Sequence, residues 1–250
     1  MTRPGPGAGS PADMLDERRH LLETALWMFG SPAAAERIVQ ETYRRWYALG
    51  DGERAVIAQP RAWLTRVAGG ICLELLAATA ATRPGGGPPD PGGPAVPGGP
   101  PRRPRPRRGP DPVTVWARRH SHRGGTDRAV LDRHDRVARR FAAACEAGDT
   151  AALKAVLAAD AIVVSDGGGK VRADARPTHG ADAVARFVAD LPAGRPRTDL
   201  TAESVNGRTG LVLRRAGRAV AVVSLSTAGD EVTAVWIVLN PDKLRRWHRP

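Results

Sequence analysis

Apolar positions at Leu15, Leu22, Ala25, Leu26 and Phe29 recur at helical spacing and predict a helix over 14–29. Gly30-Ser31-Pro32 then sets a C-terminal glycine, an N-cap serine and a first-turn proline in a row, which ends one helix and opens another. The second helix, over about 32–48, carries Ala35, Ile38, Val39, Thr42, Tyr43 and Trp46 on one stripe. A polar loop, "LGDGERAVIAQ", follows, with room for a short extra turn. Pro60 opens a third helix with Trp63, Leu64, Val67, Ile71 and Leu75 facing inward. These segments predict a compact three-helix unit.

A second patterned region begins near 131. "RHDRVARRFAAACEAGD" places Val137, Phe141 and Ala144 on one helical face and stops at Gly148, and "TAALKAVLAAD" reads as a short second helix. "AIVV" reads as a short strand, and "ADAVARFVADL" as a helix with Val184, Phe187, Val188 and Leu191 inward. Beyond 198, strand-like runs are punctuated by Asn206-Gly207, Ala216-Gly217 and Ala228-Gly229, the dipeptides that hairpin turns demand. Helices followed by an antiparallel meander predict an α+β domain whose sheet curls around its helices.

Between the two regions, residues 83–112 contain twelve prolines and eight glycines. Proline removes backbone donors and glycine adds chain entropy, so this composition cannot build a packed core. It predicts a linker without stable secondary structure over 83–125. The chain divides into a disordered N-terminus (1–12), a helical domain (13–80), a Pro/Gly/Arg-rich linker (81–127) and an α+β domain (128–250).

The formal net charge of +12 is unevenly spread: residues 1–82 are neutral, 83–130 carry +7 and 131–250 carry +5. The basic excess in the middle, notably Arg102, Arg103, Arg105, Arg107 and Arg108, suits sequence-independent contact with a polyanion, or simple solubilisation. Cys72 and Cys145 lie far apart on helical patterns and read as small buried hydrophobes, with no metal spacing. The N-terminus has no apolar core resembling a secretory leader, and no apolar run reads as long enough to span a bilayer. A cytoplasmic protein with no membrane partner and no cofactor is expected.

"SDGGGKV", Ser165 to Val171, suggests a phosphate-binding loop, but Lys170 is followed by Val171 and not by Ser or Thr. The segment then runs through Pro177 to Gly180 before any helix begins. The glycines suit a tight reversal after the strand instead.

"GSPAAAERIVQETYRRWYAL" and "QPRAWLTRVAGGICLELL" resemble two helices of region 2 of the bacterial RNA polymerase sigma factors. Val39-Gln40-Glu41-Thr42 and Pro60-Arg61-Ala62-Trp63-Leu64 are the most specific parts of that match, which spans about 14–78. The C-terminal region resembles the SnoaL-like cone-shaped domain. Its "FAAACEAGDTAALKAVLAADAIVVSDGGGKV", "GADAVARFV" and "NPDKL" look like the regulatory extension of one group of extracytoplasmic-function sigma factors. The resemblance departs in places. Ala34 and Arg37 stand where acids are usual, the third helix ends in "LELLAATAAT" where bases are usual, and the helix-turn-helix domain, region 4, has no counterpart in 83–130. A lost promoter-reading domain and a frame shift across 80–130 both account for that gap.

The resemblance implies docking on the clamp coiled coil of core RNA polymerase through Glu36, Gln40, Glu41, Arg44 and Arg45. It implies weak engagement of promoter DNA through Arg54, Arg61 and Arg66, with the linker arginines as a nonspecific hold. It further implies an interdomain regulatory surface made by Asp166, Gly167, Gly168, Gly169 and Lys170 with Asn240, Pro241, Asp242, Lys243 and Leu244. A cone leaves an apolar pocket, so a small ligand is also expected there. Asp160, Asp166, His179 and Asp199 are the general-base candidates of such a domain, but they show no paired acid–base pattern, and no enzyme activity is expected. Two other readings stay open: a degenerate sigma acting only as a regulator, and a SnoaL-like ligand-binding protein or enzyme with a vestigial helical module.

Overall fold

The computed structural model describes residues 11–81, 128–168, 178–191 and 198–248. The first part is helical: α1 (Pro11–Phe29), α2 (Pro32–Ala48), the short α3 (Asp51–Ala55) and α4 (Pro60–Ala81). Gly30 adopts φ +65° and the Ser31 hydroxyl accepts from Ala34 N, so the α1–α2 corner forms by the chemistry its sequence predicts. The loop before α4 does contain an extra turn, α3. The linker expectation for 83–125 lies outside the described residues.

The second part begins with α5 (Arg128–Ala147) and α6 (Thr150–Val156), the latter capped by the Asp149 carboxylate. A six-stranded sheet follows: β1 (Leu157–Asp166), β2 (Thr178–His179), β3 (Thr198–Val205), β4 (Arg208–Arg215), β5 (Arg218–Ala228) and β6 (Glu231–Val238). Helix α7 (Ala181–Ala189) sits between β2 and β3, and α8 (Pro241–Leu244) follows β6. The strand order is β2-β1-β6-β5-β4-β3. β3 to β6 form the antiparallel meander read from the sequence, and β1 joins it parallel to β6. Positive φ at Asn206 and Gly207, and at Ala216 and Gly217, makes both tight turns of the right-twisting hairpin kind. The all-α first part and the α+β second part are the fold class expected.

Strand β1 is longer than "AIVV". It takes up Leu157–Asp160, which the sequence reading had given to the end of a helix. The reason lies in packing: Leu157 and Ala158 enter the core, and β6 offers a ladder to pair with.

Burial of the sheet on both faces is the main departure from the sequence reading. Val163, Val235 and Ile237 face α5, α6 and α7 together with Phe141, Leu153 and Val184. Ile162, Val164, Ala234 and Trp236 point the other way, into one apolar cluster with Leu21, Ala25, Met28, Ile38, Leu64 and Ala68 of the first part. The helices α1 and α4 therefore cover the back of the sheet. Gly69 makes the approach close, because a Cβ placed there would lie 2.2 Å from Ile162 Cδ1.

This double covering explains two misplaced residues and one helix. Leu15, expected to face inward, is 66% exposed, while Glu17, His20 and Thr24 of the same helix are buried. Glu17 and His20 face α4 and the sheet, where they find partners. Helix α4 is long and apolar enough to cross a membrane by length and composition over Pro60–Thr79, contrary to the sequence expectation. It is the core helix between α2 and the sheet, with Ala62, Leu64, Ala68, Ile71, Cys72 and Leu73 buried.

Candidate functional site

Three polar clusters contain the candidate site residues. The first is the outer face of α2. Its buried stripe (Ala35, Ile38, Val39, Thr42, Trp46) fixes the helix against α1 and α4. That orientation leaves Glu36, Gln40, Arg44 and Arg45 exposed, with Glu41 half-buried among them. Glu41 accepts from Arg44 Nε at 2.7 Å and from Arg45 Nε at 2.9 Å. These guanidinium hydrogen bonds hold its carboxyl down to about 2. A shallow groove of about 410 Å³ runs beside the face, lined by Arg37, Gln40, Glu41 and Arg44 over Ile71 and Leu75 of α4. All five residues that the sequence reading assigned to polymerase docking thus come together on one charged surface.

The second cluster is a buried polar seam between α1, α4 and the sheet. Arg61 donates to Asp16 at 2.9 Å and to Glu17 at 3.2 Å. Arg208, on β4, reaches the same Asp16 oxygen at 3.0 Å, and Thr65 donates to Glu17 at 2.8 Å. Desolvation raises the Glu17 pKa in spite of these cations. His20 meets Ser226 of β5, which also receives the Trp236 indole N–H. Burial, and then the nearby Arg208, drives the His20 pKa well below its ordinary value. Asp16 Oδ1, His20 Nδ1 and Thr24 Oγ1, one helical turn apart along α1, are buried without a protein partner.

This seam changes the reading of two candidate DNA contacts. Arg61 is turned inward onto Asp16 and Glu17, and Arg66 is paired at 2.5 Å with Asp160 of the C-terminal part. Arg54 stands on α3 beside the exposed Asp51. The arginines 102, 103, 105, 107 and 108 lie outside the described residues. Nothing local in the sequence marks Arg61 and Arg66 as paired within the protein, because the partners Glu17 and Asp160 are 44 and 94 positions away.

The third cluster joins the end of β1 to the tail. Lys243 Nζ lies 2.7 Å from Asp166 Oδ2 and also donates to the carbonyl of Met28 near the end of α1. The Asp166 carbonyl accepts from Leu239 N and Asn240 N, and its carboxylate accepts from Gly168 N at 2.8 Å. Gly168 adopts φ +61°, with the Asn240 side chain directly above it. The Asn240 side chain caps α8 through Asp242 N, and Leu244 is buried. Asp166 and Gly168 are therefore neighbours of Asn240 and Lys243, and the pair touches the helical part. Gly169 and Lys170 lie outside the described residues.

The general-base candidates are dispersed. Asp160 and Asp166 are engaged by Arg66 and Lys243, while His179 on β2 and Asp199 on β3 are exposed at opposite edges of the sheet. Cys72 and Cys145 are buried, and burial pushes the Cys145 thiol up to about 12. Among the described residues no group of three or more His, Cys, Asp or Glu could hold a metal ion.

No family model matches the chain. A 66-residue segment, 26% of the chain, is 44% identical to the ECF RNA polymerase sigma factor SigJ of Mycobacterium tuberculosis, and the chain is homologous to that protein through it. The match spans about a fifth of the length of that curated relative (20%). The crystal structure of M. tuberculosis extracytoplasmic function sigma factor SigJ aligns over 94% of this chain and 98% of its own, with 26% identity and a TM-score of 0.40. An NTF2-like protein of unknown function from Mesorhizobium loti aligns over 47% of this chain and 97% of its own, with 17% identity and a TM-score of 0.36.

Proposed function

We propose that this chain is a sigma-factor-like transcription protein of the cytoplasm. It binds core RNA polymerase through the outer face of α2 and takes part, weakly, in promoter engagement. Its C-terminal part acts as a regulator of the helical part and not as an enzyme. The observation that carries this reading is the 44% identity of a 66-residue segment to an extracytoplasmic-function sigma factor. The charged α2 face, clear of both cores, supports it.

The test is retention of core polymerase by the full chain. Reversing charge at Glu41 and Arg44 together is expected to leave the fold intact, since the pair lies within one helix on its outer face and surface ion pairs add little to stability. Retention is expected to be lost with helical circular dichroism unchanged. Unchanged retention means that this face is only solvated surface.

A second reading is favoured by the seam. Arg61 and Arg66, two of the three helical arginines that the resemblance assigns to DNA, are paired with Asp16, Glu17 and Asp160. The chain would then hold polymerase without initiating. Run-off transcription separates the two: product supports the first reading, and polymerase binding without product supports the second.

A further inference from the structure

Helix α5 carries Arg128, Arg133, Arg136, Arg139 and Arg140, all exposed. Its other face is buried beneath the sheet through Val137, Ala138, Phe141, Ala144 and Cys145. The arginines therefore point away from the sheet on the side opposite α1 and α4. Arg139 is paired with Asp135 at 2.8 Å. Among the described residues, Arg133, Arg136 and Arg140 have no carboxylate partner within ion-pair distance.

The stability of the helix does not account for this stripe. Arg133, Arg136 and Arg140 stand three and four positions apart, where like charges repel by roughly 0.2–0.5 kcal/mol per pair. Arg128 opens the helix, at the end where the dipole favours acids, while the last turn has no base at all. Asp135 is paired with Arg139 and Asp132 is the other acid beside the stripe, so five arginines against two acids leave the face net positive and suited to a polyanion. From Arg128 to Arg140 the helix rises about 18 Å. A stripe of that length can reach several phosphates of a duplex backbone.

We infer that the outer face of α5 is a sequence-independent contact for the phosphate backbone of duplex DNA, carried chiefly by Arg133, Arg136 and Arg140. Its apolar face is already occupied by the sheet, so the helix has nothing to insert into a lipid surface. This extends the DNA-engaging part of the proposed function to a residue set on the far side of the sheet from α2. That stretch of duplex is distinct from any held by α3 and α4.

The test uses the full chain without polymerase and a labelled duplex that contains no promoter. Affinity is followed as potassium chloride is raised from about 50 to about 200 mM. Arg133→Gln, Arg136→Gln and Arg140→Gln together are expected to lower low-salt affinity roughly tenfold or more and to flatten the salt slope by about 2.7. Asp132, exposed beside the stripe, supplies a variant that misfolding cannot imitate: Asp132→Asn is expected to tighten binding. An unchanged slope in the triple variant overturns the inference. So does failure of the unaltered chain to bind duplex, or loss of binding only when arginines 102–108 are replaced. Binding to vesicles rich in anionic lipid, with none to duplex, also overturns it. Because polymerase retention is measured separately, the proposed function can fail or stand independently of each outcome.

Discussion

His20 Nε2 on the first helix and Ser226 Oγ on the fifth strand meet at 2.7 Å across 206 positions of sequence. Trp236 donates its indole N–H to the same oxygen at 2.9 Å, so the one hydroxyl ties the first helix to two strands of the sheet. The charged and titratable groups that act on the ring are Arg208 from β4, His134 from α5 and Arg61 from α4. A cation here would sit buried, away from water and near two arginines.

Acidification is therefore expected to loosen the seam through His20. Its folded pKa is depressed, so its contribution is present above about pH 6.5 and is lost as pH falls below that value. Glu17 and Glu23 act in the opposite sense: burial raises their pKa values, and their cost grows as pH rises above about 4.5. The difference between the unaltered chain and His20→Gln isolates the histidine. Chemical denaturation should show that gap, about 1–3 kcal/mol near neutral pH, shrinking towards pH ~5.5. A gap that does not change with pH would show that His20 is held for packing alone.

Most elements were legible because their signals are local. Ser31 caps α2, Gly148 ends α5 with φ +62°, and Asn206-Gly207 turns a hairpin, each decided by residues within four positions. The back of the sheet was not legible, because its covering comes from α1 and α4, far earlier in the chain. One signal did exist: "TAVWIVL" and "AIVV" are unbroken apolar runs, and a strand wet on one face would alternate. At the candidate site, the α2 face followed from helical periodicity alone. The inward turn of Arg61 and the pairing of Arg66 required knowing that Asp16 and Asp160 lie opposite them.

The close approach at Gly69 predicts a sign reversal. Alanine in place of glycine within a helix normally stabilises by roughly 0.5–1 kcal/mol. At Gly69 the new methyl would meet Ile162 Cδ1 at 2.2 Å in a fully buried contact, so Gly69→Ala should destabilise instead. Ile162→Val removes that one carbon. In its background Gly69→Ala should become neutral or stabilising, although Ile162→Val alone costs about 0.5–1.5 kcal/mol. Thermal melts of the four proteins decide the matter. Additive effects would mean that α4 and β1 are not held at this spacing.

The final prediction concerns Asp166 and Lys243. The Asp166 side chain is 5% exposed and that of Lys243 is 31% exposed, so removing the lysine leaves a carboxylate that water hardly reaches. Lys243→Met is expected to cost about 2 kcal/mol, less than for a fully buried pair because the ammonium is partly hydrated. Asp166→Asn with Lys243→Met should recover part of that loss, giving a coupling of about 1 kcal/mol in a double-mutant cycle. The ammonium also caps the Met28 carbonyl at the C-terminal end of α1, a favourable place for a cation. Gly30 and Ser31 follow at once and set the start of α2. Breaking the pair therefore frees the corner that orients the α2 face. If the C-terminal part regulates the helical part through this contact, run-off transcription with reconstituted polymerase should change in Lys243→Met and Asp166→Asn. Lys243→Arg should keep the unaltered level, and circular dichroism should remain native in all three. Transcription that is unchanged in both disruptive variants, with the coupling energy present, would make the contact a structural latch with no regulatory role.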